Sequence, residues 1–101
     1  MNDKPTDQHI RTIAEWDGYS IKVINWRIDK YTHEYTTNLT SLNRVWAKVY
    51  KEVVPYILNG DISYRWADIR NDYFKAINTN NIPAACIAVA DAIEFLKQLK
   101  K

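Results

Sequence analysis

The C-terminal segment from Ile82 to Lys101 constrains the fold more than any other part of the chain. Its first twelve residues, Ile82 to Ile93, contain a single charged side chain, Asp91. A surface helix of a small domain has one apolar stripe and one polar face, whereas this segment would be apolar around most of its circumference for about three turns. It must therefore be covered on more than one side, by a sheet, by a second subunit, or by both.

Composition narrows the class of protein. The chain has 101 residues, of which 47% are hydrophobic and 13% aromatic, which indicates a folded protein and not a disordered one. The net charge of +2 comes from basic residues spread along the chain, so a dedicated nucleic-acid-binding protein is not indicated. With one cysteine, Cys86, no internal disulfide can form. We expect a cytoplasmic protein with no membrane span, because no secretory signal and no apolar run of about 18 residues occurs.

Residues 1–5 are predicted to form a flexible tail, and residues 6–101 a single domain. Thr6 is a suitable N-cap for a short first helix, and Gly18 is suited to end it. Residues 19–31 are rich in β-branched and aromatic side chains that alternate with polar ones, which predicts one strand or two, the second over residues 27–31.

A long central helix is predicted after the N-cap residue Asn38. Apolar residues then recur every three or four positions, at Leu39, Leu42, Trp46, Val49 and Val53. Pro55 is expected to end or kink this helix at Val54, with residues 56–58 adding a last turn before a turn at 59–61.

Residues 62–78 are consistent with two structures. Ile62, Tyr64 and Trp66 alternate as in a strand, yet Trp66, Ile69 and Tyr73 are also spaced as in a helix. The aromatic and β-branched content favours a β-hairpin. Asn81 and Pro83 then begin the final helix. This order of elements predicts an α+β fold, a small antiparallel sheet covered by helices in an α-β-α layered sandwich.

Three short motifs in this order resemble the phage ABA sandwich domain, a family of short phage proteins. They are Ile-Ala-Glu-Trp-Asp-Gly-Tyr at 13–19, Tyr-Thr-Thr-Asn-Leu at 35–39 followed by Val45-Trp46, and Ile-Pro-Ala-Ala-Cys-Ile-Ala at 82–88. The chain departs from the family where Ile82 replaces a capping threonine and where residues 55–60 are extra. The resemblance implies an α-β-α fold and a phage accessory role, and it carries over no catalytic residues.

Catalytic and metal-binding patterns are not found in the sequence. His9 and His33 lie in polar surroundings without metal-ligand spacing. Ser20, Ser41 and Ser63 lack the neighbours of a nucleophile, and two glycines cannot build a phosphate-binding loop. We therefore expect a binding protein without enzyme activity, metal or cofactor.

Two segments have a composition suited to ligand binding, because aromatic rings can stack on bases while arginines bind phosphates. The candidate residues are Arg65, Trp66, Arg70, Tyr73, Arg27 and Tyr31. The alternative is that Trp66 and one tyrosine belong to the core while the arginines are solvated.

Alanines recur every four residues in the last segment, at 84, 88 and 92. Another backbone can approach such a ridge closely, and Ile87 lies beside it. Ala84, Ile87 and Ala88 are therefore predicted to form an interface between subunits of a homo-oligomer, unless the ridge packs on the sheet instead.

Three functions remain open at this point. The preferred one is a phage counter-defence protein that sequesters a small anionic, nucleotide-derived immune signal of the host. The second is a phage protein that binds and inhibits a host protein, and the third is a weak nucleic-acid-binding accessory protein. The preference for the first depends on the resemblance and on the arginine-rich aromatic segments.

Overall fold

The computed structural model describes residues 4–58, 60 and 64–101. These described residues form helices and contain no strand. In chain order the helices are α1 (Asp7–Trp16), α2 (Ile21–Trp26), α3 (Ile28–Thr37), α4 (Leu39–Leu58), α5 (Tyr64–Asn78) and α6 (Ile82–Leu99). The predicted α+β fold is therefore wrong, and so is the α-β-α layered sandwich that the family resemblance implied. No described helix is both long enough and apolar enough to cross a bilayer.

The strand predicted over residues 19–31 is replaced by α2 and the start of α3. The alternating pattern misled because its apolar residues do not share a buried face. Ile24 is buried, whereas Ile21 and Val23 are exposed. Period-two alternation predicts a strand only when one set of side chains is buried. The prediction instead followed the β-branched and aromatic composition of this segment.

The hairpin predicted over residues 62–78 is also wrong, because helix α5 occupies this stretch from Tyr64 onward. Ile62, where the hairpin was to begin, lies outside the described residues. Trp66, Ile69, Tyr73 and Ala76 are buried, and their spacing of three and four places them on one face of a helix. The helical stripe was the correct interpretation of the two.

Helix α6 lies at the centre of the protein and contacts α1, α3, α4 and α5. Its buried residues occur around most of its circumference, namely Ala85, Cys86, Ala88, Val89, Ala90, Ala92, Ile93 and Leu96. The prediction that this segment is covered on more than one side is confirmed. The cover consists of helices of the same chain and not of a sheet.

Four of the predicted helix termini are confirmed. Thr6 and His9 form a capping box at the start of α1. The α1 helix ends in a Schellman motif at Gly18, which has φ +104° and donates to the Glu15 carbonyl at 3.1 Å. The side chains of Asn38 and Asn81 each accept a backbone N–H of the following helix, at 3.2 Å. These signals are local, and local geometry suffices to satisfy them.

Helix α4 continues through Pro55 to Leu58, so the helix does not end at Val54, and the last turn predicted over residues 56–58 is confirmed. The turn predicted at 59–61 is described only at Gly60, which has φ +80°. The apolar stripe predicted for this helix is confirmed at Leu42, Trp46 and Val49, which are all buried. Burial of that stripe against α6 outweighs the one backbone hydrogen bond that proline cannot make.

A polar network joins α1, α3 and α4 at the side of the core. The nearly buried Asp17 carboxylate accepts hydrogen bonds from the Tyr35 hydroxyl at 2.8 Å and from the Arg44 guanidinium at 2.5 Å. Burial, together with the hydrogen bond to Asp17, raises the pKa of Tyr35 well above its usual range. The network fixes the end of α1 against its neighbours.

We expect Ala88→Leu to lower the free energy of unfolding by about 1–3 kcal/mol, because added methylene groups would be forced between α6 and its neighbours. Ala84→Leu, one turn earlier and only half-buried, is the matched control and should cost less. Urea unfolding followed by circular dichroism measures both. Equal losses in the two variants would contradict the packing of this ridge inside the protein.

Candidate ligand-binding groove between α4 and α5

An open groove with a volume of about 590 Å³ lies between α4 and α5. It is lined by Trp46, Ala47, Tyr50 and Lys51 of α4 and by Arg70 and Phe74 of α5. The spacing on each helix explains the set, because residues three and four apart share a face. Two helices that both pack on α6 thus place an aromatic and cationic surface beside each other.

Trp46 lines the groove, and stacked rings support it from behind. Trp46 stacks on Tyr73 with 4.2 Å between ring centroids and 11° between planes. On Trp66 it stacks at 5.6 Å and 7°, and Trp66 in turn stacks on Phe95 of α6 at 5.8 Å. Aromatic pairs contribute about 0.5–1.5 kcal/mol beyond their area burial, so this layer is held in place without a ligand.

Tyr73 also has a polar partner, since its hydroxyl donates a hydrogen bond to Oδ1 of Asn43 on α4. Burial raises the pKa of Tyr73 to about 12. The residue is therefore a neutral donor at physiological pH, and it ties α5 to α4 behind the groove.

The rim of the groove leaves aromatic surface in contact with water. Phe74 is 43% exposed and lies edge-on to Trp46 at 6.2 Å and 70°. Tyr50 is exposed as well, and its ring centroid lies 6.4 Å from that of Trp46. Such rings can stack on or pack against a planar ligand.

Two cations border these rings. Within the part of the chain that the structure describes, neither Lys51 nor Arg70 makes an ion pair with a carboxylate. By contrast, Arg44 is paired with Asp17. A guanidinium can form two parallel hydrogen bonds to a phosphate or carboxylate, so Arg70 and Lys51 are available to bind an anion.

The four predicted site residues of α5 lie on different faces of that helix. Arg70 lines the groove, whereas Trp66 and Tyr73 are buried in the wall behind it. Arg65 points toward α6, where it lies 3.8 Å from Asp91. Burial raises the pKa of Asp91 although the Arg65 charge opposes this. Arg70 thus lines the groove, and the two buried rings pack behind the groove.

The other two predicted site residues lie elsewhere in the fold. Arg27 precedes α3, with its guanidinium 5.9 Å from the ring centroid of Trp26. Tyr31 is buried, with its ring 4.8 Å from that of Tyr19. Arg27 and Tyr31 do not line the groove.

The predicted interface residues are buried or half-buried by other parts of the same chain. Ala88 is buried, and Ala84 and Ile87 are half-buried. The sheet on which the ridge was alternatively expected to pack does not occur among the described residues, where helices cover the ridge instead. A homo-oligomer stays a prediction.

Sequence reasoning missed the residues that α4 and one further residue of α5 supply to the groove. The sequence places Trp46 only in the apolar stripe of the central helix, and Lys51 was not among the candidate site residues. The sequence could have indicated part of this groove, because Arg70 and Phe74 are four residues apart. In a helix over residues 62–78, that spacing places a cation beside a ring. Nothing local indicated that Tyr50 would lie across from them.

No three His, Cys, Asp or Glu side chains among the described residues are placed to hold a metal ion. Nδ1 of His9 accepts the Thr6 backbone N–H at 2.9 Å in the capping box. Burial raises the pKa of the Cys86 thiol to about 12, so this thiol stays protonated at neutral pH.

No family model matches the chain, and no curated protein and no solved structure is significantly similar to it. The resemblance to the phage ABA sandwich domain therefore stays a prediction from three short motifs. The groove has to be interpreted from its own chemistry.

We expect the free energy of unfolding of the wild type to fall as the pH rises from 10 toward 12. The folded protein holds the Tyr73 proton more tightly than the unfolded chain, whose tyrosines have a pKa of about 10. This contribution is therefore complete below pH 10 and is lost as the pH passes through the folded-state value of about 12. Urea unfolding at a series of pH values measures the slope.

Tyr73→Phe should show a smaller alkaline loss than the wild type, because the titrating hydroxyl is gone. Tyr64→Phe is the control, since Tyr64 is 93% exposed and its replacement should leave the slope unchanged. If Tyr73→Phe and the wild type lose stability equally between pH 10 and 12, the assignment of a buried, protonated Tyr73 is wrong.

Proposed function

We propose that this protein is a non-enzymatic binding protein that takes a small anionic ligand with a planar ring in the groove between α4 and α5. The observation that supports this most directly is the pairing of available cations, Lys51 and Arg70, with the exposed rings of Tyr50 and Phe74. A nucleotide has both of the parts that such a surface would bind, an anionic phosphate and a flat base.

The size of the groove supports the same ligand class. Pockets for small molecules and cofactors have volumes of about 300–1,000 Å³ and are mostly apolar, with a few polar groups that orient the ligand. The value here is about 590 Å³, and rings make up half of the lining residues. One base could stack on Phe74 or Tyr50 while its phosphate reaches Arg70.

In its fuller form the proposal is that the ligand is a nucleotide-derived immune signal of the host. The protein would then be a phage counter-defence protein that sequesters the signal in the host cytoplasm, as a homo-oligomer. This part is supported by the order of the three motifs that resemble the phage family. It would explain why binding without catalysis is sufficient, because sequestration requires only that the ligand stay bound.

Native mass spectrometry of the protein purified gently from bacteria tests the proposal first. A species that carries an extra mass of nucleotide size would support it and would give the mass of the ligand. The same spectrum reports the oligomeric state.

Arg70→Gln and Lys51→Gln are each expected to weaken the binding of adenine and guanine mono- and dinucleotides by about tenfold or more. Each change replaces a charged hydrogen-bond donor to the anion by a neutral one, and charged hydrogen bonds contribute about 1.5–3 kcal/mol. Phe74→Ala should weaken the binding of nucleotides and leave the binding of inorganic pyrophosphate, which has no ring, unchanged. Isothermal titration calorimetry measures all three variants.

Lys75→Gln is the matched control, because it removes a cation from α5 outside the groove lining. Arg65→Gln separates this groove from the α5 surface that faces Asp91. Wild-type protein that binds no nucleotide of the panel, or binding that Arg65→Gln weakens more than Arg70→Gln, would contradict the proposal.

A further inference from the structure

Helix α2 presents apolar side chains to solvent. Within the described chain α2 buries Ile24, whereas Trp26 is 82%, Ile21 45% and Val23 42% exposed. Tyr19, just before the helix, is exposed too and contacts Tyr31 of α3 through its ring. Val23 and Trp26 are three residues apart and therefore share one side of the helix, and we call this pair the α2 surface.

Such exposure is uncommon for a tryptophan, which usually buries most of its area. Exposed apolar side chains that share one face and are rimmed by polar residues are typical of interaction sites. Tryptophan is also enriched among the residues that contribute most to protein–protein binding. The α2 surface therefore has the composition of an interface.

Its charges indicate the chemistry of the partner. Lys22 lies one turn before Trp26 on the same helix, and the Arg27 guanidinium is 5.9 Å from the Trp26 ring centroid. Lys30 follows one turn after Arg27, and between residues 19 and 31 the single carboxylate is Asp29. At the edge, Nε of Arg11 donates to Asn25 Oδ1 at 2.7 Å. The rim is thus predominantly basic.

We propose that the α2 surface binds a segment of a partner protein in which an apolar side chain is flanked by carboxylates. The aliphatic side chain of Val23 favours a peptide over nucleic acid, because bases stack on rings and gain little from branched aliphatic groups. Arg27 lies over the Trp26 ring, which leaves less of that ring for a base. An apolar anchor would pack on Val23 and Trp26 while carboxylates meet Lys22 and Arg27.

This surface is separate from the groove, which lies between α4 and α5. The inference therefore does not depend on the ligand proposed above. It supplies a site for the second function considered from the sequence, the binding of a host protein, and it specifies the charge and apolarity of the segment that would be bound.

The experiment is a selection from a random library of 16-residue peptides by mRNA display on the full-length protein, with one enriched peptide synthesised and labelled. The expected result is enrichment of sequences with two or more carboxylates around an aromatic or branched apolar residue. Fluorescence anisotropy should then show binding at least tenfold weaker for Trp26→Ala and for the double variant Lys22→Glu, Arg27→Glu. Affinity should also fall with added salt, because the rim charges attract the peptide.

Tyr64→Ala is the matched control, since it removes an aromatic side chain that is still more exposed on a different helix. It should change the affinity less than twofold, and so should Phe74→Ala in the groove. Because Trp26 is so exposed, Trp26→Ala should keep the wild-type circular dichroism spectrum and unfolding midpoint, which excludes misfolding as the cause of lost binding.

Three results would overturn the proposal. One is a selection that enriches no acidic apolar sequence. Another is an enriched peptide that binds Trp26→Ala as tightly as the wild type. The third is Trp26-dependent binding to oligo(dT) or to vesicles of 70% phosphatidylcholine and 30% phosphatidylserine in the absence of peptide binding, which would assign the surface to a polyanion or a membrane.

Discussion

Burial of α6 is the interaction on which the rest of this structure depends. Apolar and small residues occupy most of its circumference, so no single neighbouring helix could cover it. Four helices of the chain do so together. Because several of the buried residues are alanines, neighbouring backbones can approach closely, and a short chain can surround one helix with four others. Burial of apolar surface contributes about 25 cal/mol per Å² removed from water, so this arrangement stabilises the fold.

The groove follows from that packing. Helices α4 and α5 both pack on α6, and Trp66 lies between Trp46 of α4 and Phe95 of α6. The aromatic layer that joins the three helices continues outward to Tyr50 and Phe74, which the core cannot cover. Core packing and the candidate binding surface are thus parts of one layer of rings, and Arg70 and Lys51 add charge at its solvent edge.

The protein carries two surfaces of different chemistry. In the groove, rings and cations border a concave volume suited to a small ligand. On the α2 surface, aliphatic and aromatic side chains protrude from a short helix with a basic rim, which suits a polypeptide. In the Asp17 network a charge has a structural role, because Arg44 pairs there with a nearly buried carboxylate.

The sequence by itself determined the helix termini at Thr6, Gly18, Asn38 and Asn81, because caps and turns are satisfied by residues a few positions away. It also determined that α6 is covered on several sides, and it named Arg70 as a candidate site residue, which the fold places in the lining of the groove. It could not decide residues 62–78, where Trp66 fits both periods, and it gave a false strand at Ile21 and Val23. Only the tertiary structure decided that helices cover α6 and that Tyr50 and Phe74 meet beside Arg70, because these contacts join residues far apart in the chain.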